Sequence, residues 1–201
     1  MSSRRPDLQY TVHRLPLGFR RSEVETVFAR VPRDPSVPVH AVITFQVLQP
    51  WCPPKQQQEG AGDAQTAPAC PVPAPGGGCC GSGDMIDFTA GAAEFKDTSR
   101  EAFVAWCEAI RAVAATTPEA IPWVDWPDPA TGLAASHECG PCTYSEVDAI
   151  EQLLTYEVVH VGTSGGGCRM ISHPKHGFDV YPATLLIAGD TDAVLTLLEK
   201  F

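Results

Sequence analysis

The chain has 201 residues, 44% apolar and 19% charged, a composition that supports one good core or two small ones. A formal net charge of −10 argues against nucleic acid as the main partner, because phosphate binding relies on lysines and arginines that neutralise the backbone. No stretch reaches the apolar length of a membrane helix, and the basic start Met1–Asp7 is not followed by a signal-peptide apolar run. The expected location is therefore the cytoplasm, where eight cysteines stay mostly as thiols and pairs serve catalysis or metal binding.

Leu8 to Leu15 reads as a strand. A helix capped by Ser22, with Glu25 three residues later, follows and presents Val24, Val27, Phe28 and Val31 on one face. His40 to Leu48 is a second strand. Residues 50–84 hold seven prolines and seven glycines with almost nothing apolar to bury, so this insert is expected to be disordered. Cys79-Cys80 within it reads as compositional drift. Trp51-Cys52-Pro53-Pro54 has Lys55 where a second cysteine of a redox pair would stand.

Met85 to Phe88 reads as a short strand. Thr98 and Glu101 are spaced as a capping box for a helix to about Ala115, whose buried face would be Phe103, Trp106, Cys107, Ile110 and Val113. Ile121 to Trp126 is a further strand. Cys139-Gly140-Pro141-Cys142 then opens a helical pattern from Tyr144, with Val147, Ile150 and Leu154 on one side and Glu146, Asp148 and Glu151 available to water. Val158, Val159 and Val161 are β-type, and Gly162 to Gly167 reads as flexible. The apolar run Ala183 to Ala188 is a strand, and Thr191 to Phe201 places Val194, Leu197, Leu198 and Phe201 at helical spacing.

Two thiols two residues apart at a helix start can reduce a disulfide. A helix N-terminus offers unpaired N–H groups and the positive end of the macrodipole, which favour thiolate. On that reading Cys139 attacks, Cys142 one turn deeper resolves, and Gly140 and Pro141 shape the turn. The same spacing also serves half of many zinc sites, and Cys168 and His173 would complete a four-ligand set with Cys139 and Cys142, with His176 as a spare. The stretch Gly165-Gly166-Gly167 before Cys168 supplies no second paired knuckle. His137 reads as a loop residue, and His13, His40 and His160 as structural.

The CGPC tetrapeptide, the helix after it and the stretch KHGFDVYPATLLIAGD, with Pro182 forty residues beyond Cys142, resemble the thioredoxin superfamily. The resemblance is clear over 139–201. It implies a three-layer α/β/α fold with a central mixed sheet, and a cis Pro182 which, with Tyr181, would bind the substrate strand beside the dithiol. Where 85–201 forms the complete domain, it also implies that Asp125 occupies the place of a buried proton-moving acid; the alternative is a surface turn acid. Further implications are disulfide-containing protein substrates, no bound cofactor, and a thioredoxin-reductase-type or glutathione-type donor drawing on NADPH. Glu138 stands where the family carries tryptophan, and a polar loop separates Trp126 from Cys139. Such a loop is similar to small cytosolic proteins of the thioredoxin-domain-containing 17 type, which carry a different dipeptide between the cysteines.

Two arrangements fit: 85–201 is a complete thioredoxin-like domain with 1–49 as an added strand-helix-strand piece, or 1–49 opens the same fold. Three functions are compatible: a thiol–disulfide oxidoreductase, a zinc-binding interaction domain, and a redox-inactive thioredoxin-like scaffold.

Overall fold

The computed structural model describes residues 8–47, 90–161 and 168–201. The expected disorder of 50–84, the strand Met85 to Phe88 and the flexible Gly162 to Gly167 lie outside them.

Strand β1 (Leu8–Arg14) is followed by α1 (Leu17–Phe19), a π-helical turn (Arg20–Val24) and α2 (Glu25–Val27). β2 (Val39–Val47) comes next, then α3 (Ala90–Ala114), β3 (Trp123–Asp125) and α4 (Glu146–Leu154). The hairpin β4 (Glu157–Val161) and β5 (Cys168–Ser172), β6 (Val180–Ala188) and α5 (Thr191–Leu198) complete the described chain. The main sheet has the order β1-β2-β6-β3, and the hairpin β4-β5 stands apart from it.

Every neighbouring pair in the main sheet is antiparallel, so the expected mixed sheet is not what forms. The connection between β1 and β2 shows why. A parallel neighbour needs a crossover that carries the chain the length of the sheet. Here the helical segment is short and Phe28 leaves it in an extended conformation, so the chain returns to the end where β1 stopped. The Leu15 N–H donates to the Val39 carbonyl there at 2.8 Å. Both proposed pieces contribute to one sheet: β1 and β2 open it, and Trp123–Asp125 extends its far side.

Both faces of β2 and β6 are largely buried, as in strands covered on each side. Val39, Ala41, Ile43, Phe45, Leu186 and Ala188 pack with Phe19, Val24, Val27, Phe28 and Ile150. Val42, Ala183, Leu185 and Ile187 pack with Phe103, Cys107 and Ile110 of α3 and Val194, Leu197 and Leu198 of α5. The sheet is thus sandwiched between helical layers, each fully buried Leu, Ile or Phe contributing about 1.5–3 kcal/mol.

Helix ends differ from expectation. Pro16 stands at the N-cap of α1, and Ser22 lies inside the π-turn with its hydroxyl on the Phe19 carbonyl. Helix α3 begins at Ala90, so Thr98 and Glu101 lie inside the helix and not at its start; alanine-rich sequence upstream continues the helix. Phe103, Cys107 and Ile110 are buried as expected, with Trp106 and Val113 partly so.

Hydrogen-bond parity along β6 explains two residues. The Gly189 N–H donates to Pro38, so odd-numbered residues of β6 bond towards β2 and even-numbered ones point the other way. β3 reaches only Leu186. Beyond it, Pro182 has no N–H to satisfy, and the Thr184 N–H is taken by the Glu146 carboxylate at 3.0 Å.

Candidate functional site

The segment carrying the dithiol is assembled from the sheet outwards. Asp125, the last residue of β3, is 2% exposed, and its carboxylate accepts from the Trp126 N–H at 2.9 Å, the Ser136 N–H at 3.2 Å and the Ser136 hydroxyl at 2.6 Å. Burial raises its pKa against the pull of those bonds. Asp125 therefore pins residue 136 of the loop to the sheet, a structural use of the acid that the sequence offered as a proton carrier. Within the loop Pro127 and Ala134 form a β-bridge, and Asp128 receives both Arg100 nitrogens at 2.8 and 3.0 Å. Gly132, at φ 71°, turns the chain where a Cβ would meet the Tyr144 carbonyl at 2.8 Å.

His137 adopts a left-handed φ of 61°, and the chain then runs alongside the end of α2. Ala29 N–H donates to Glu138, Gly140 N–H to Val27 at 2.7 Å and Cys142 N–H to Thr26 at 3.4 Å, with Cys139 bridged to Phe28. Arg30 pairs with Glu138. Gly140 is dictated by this approach, because a Cβ there would lie 2.0 Å from the Thr26 carbonyl oxygen. Cys139 and Cys142 are both exposed and unbridged, and the Cys139 thiol points at the Ala134 carbonyl, 3.8 Å away.

This geometry corrects the expectation that the dithiol begins a helix. α4 starts at Glu146, with the Ser145 hydroxyl accepting from the Asp148 N–H at the N-cap. Backbone bonds to 26–29 take up residues 138–142, and serine is the first strong cap downstream. Neither cysteine therefore stands in the first turn of α4.

The other expected site residues are dispersed. Among the described residues every peptide bond is trans, and Pro182 is a strand residue registered with Phe45. Tyr181, on the opposite face of β6, is half-buried against the α3 side, and burial pushes its hydroxyl up to about 12. His173 has its ring against Phe45 and Tyr156, and its Nδ1 accepts from the Lys175 and His176 N–H groups. Among the described residues no three His, Cys, Asp or Glu side chains gather as a metal-holding group, so Cys139, Cys142, Cys168 and His173 do not form the zinc set. Nor is any helix among them long and apolar enough to cross a membrane.

The expectation that Glu146 lies on the water-facing side of its helix is corrected by its contacts. Glu146, in the first turn after the cap, turns its carboxylate inward, where it also accepts from the Thr184 hydroxyl at 2.6 Å, and burial pushes its pKa up to about 7. Acid at a helix start is ordinary, and only the open edge of β6 gives this one its position. The chain matches no known family model and no curated protein sequence.

Proposed function

We propose that the protein is a thiol–disulfide oxidoreductase that reduces protein or small-molecule disulfides through Cys139 and Cys142. The observation that carries this reading is the presentation of two exposed, unbridged thiols on a short segment fixed by backbone hydrogen bonds to Thr26, Val27 and Ala29. Fixing the segment lowers the entropy lost when a substrate disulfide meets both sulfurs in turn. The likeness of the CGPC and KHGFDVYPATLLIAGD stretches to the thioredoxin superfamily supports the same chemistry, while the antiparallel sheet and trans Pro182 depart from what that likeness implies.

In the reaction one thiolate attacks a substrate sulfur, the substrate S–S bond breaks, and the departing sulfur takes a proton. The second cysteine then attacks the mixed disulfide, releasing the reduced substrate and leaving a Cys139–Cys142 disulfide. Two electrons pass to the substrate, and a thioredoxin-reductase-type or glutathione-type donor linked to NADPH returns them. A reducing compartment such as the cytoplasm suits this cycle. Without a helix terminus to favour Cys139, the order of attack is assigned by trapping.

The test is titration of the pair in glutathione buffers, with mass mapping of the disulfide and turnover of an aromatic disulfide probe. A Cys139–Cys142 bond that forms reversibly, with turnover abolished in Cys139→Ser and Cys142→Ser and a mixed disulfide trapped in one of them, is the expected result. Full turnover in the double variant, or no bond between these two cysteines, refutes the proposal.

A further inference from the structure

The outer edge of β1 has the features of a strand that pairs with another. Its register with β2 is one-to-one over all seven residues, without a bulge. The Leu15–Val39 bond sets the parity, so Gln9, Thr11 and His13 bond to β2 while the backbone groups of Leu8, Tyr10, Val12 and Arg14 point outwards. No backbone hydrogen bond from another described residue reaches that edge. The devices that blunt edges are missing between Leu8 and Arg14: there is no proline, no glycine and no lysine, and the one fixed charge is terminal. Tyr10 is 40% exposed although its ring rests 6.0 Å from Trp106, so its outer side is uncovered apolar surface.

We propose that β1 pairs with β1 of a second copy, antiparallel about a two-fold axis through Thr11, so that two four-stranded sheets become one continuous sheet. The sequence of the strand singles out this partner. Pairing about Thr11 sets Tyr10 opposite Val12 and Leu8 opposite Arg14 of the other copy, the residues whose backbone groups are unpaired. Aromatic against β-branched is a favourable cross-strand pair, and Thr11 meets Thr11, another favourable pair, at the close non-hydrogen-bonded position. Gln9 faces His13 on the same side. No like charges meet along the strand, although the chain as a whole carries −10. A two-fold axis makes the contact isologous and closed, so pairing stops at the dimer. This interface is independent of the dithiol.

Sedimentation velocity under reducing conditions, across a concentration series, reads the assembly directly. The wild-type chain is expected to move from 21.5 kDa towards twice that mass as concentration rises. Thr11→Lys and Thr11→Glu each place like charges on the axis and should weaken the dimer at least tenfold, while mixing the two should restore it as a heterodimer. Tyr10→Pro removes an outward N–H and spares the β1–β2 ladder, so it should give a monomer with an unchanged circular dichroism spectrum. A wild-type chain that stays monomeric throughout overturns the proposal, as does a dimer indifferent to the Thr11 variants.

Discussion

Replacing Glu146 by glutamine isolates a single proton. The carboxyl lies half-buried between the start of α4 and β6, with its oxygens on Thr184 at 3.0 and 2.6 Å, and desolvation raises its pKa from an ordinary 4.5 to about 7. Between those values the native state holds a proton that the unfolded chain has released. Native stability therefore falls as pH climbs from about 4.5 to about 7 and is level above it, a loss of about 3 kcal/mol for this group. Glutamine keeps an acceptor for the Thr184 N–H, its amide can donate to the Thr184 hydroxyl, and it does not titrate. Urea unfolding of both proteins under reductant should show Glu146→Gln gaining on the wild type by up to about 3 kcal/mol between pH 5 and pH 8. The difference between the two proteins cancels His13, His40 and His173, whose lowered pKa values work in the opposite direction as the pH falls. A difference that is flat with pH, or that favours glutamate at pH 8, refutes the reasoning.

Two further predictions concern the loop. Gly140→Ala forces its Cβ into the Thr26 carbonyl, so the Gly140–Val27 hydrogen bond should break; faster amide exchange at residue 140 and a stability loss of about 1–3 kcal/mol would show it. Asp125→Ala strips the acceptor from both Ser136 donors and from Trp126, and should cost about 2–4 kcal/mol in unfolding free energy while alkylation of Cys139 becomes faster.

The parts of the fold legible in the sequence were those with their own hydrophobic signature. Val42, Ile43 and Phe45 of β2 and Leu185-Leu186-Ile187 of β6 put apolar side chains on both faces because both faces of the sheet are covered, and Phe103, Cys107 and Ile110 repeat at the period of a helix on one wall. β5 was missed because Cys168-Arg169-Met170-Ile171-Ser172 is short and buries only Ile171 well. The two thiols were legible as chemistry, but their local conformation was not. It is set by carbonyls of Thr26 and Val27, and a backbone acceptor supplied from a distant part of the chain leaves no mark in side-chain pattern. Asp125 stands out only through the thioredoxin likeness, while its partner Ser136 resembles any loop serine.

The pairing of β2 with β6 has a consequence for how the chain reaches its native state. The Thr44 hydroxyl bonds the Ala183 carbonyl across 139 residues of sequence, within the central ladder of the sheet. Closing a loop of that length must come before either core gains its main contacts, and such non-local topology slows folding. On the ribosome, β1 and β2 must wait for residue 188 to be made. Until then one edge of β2 has no strand partner, and a chaperone would find an exposed target there.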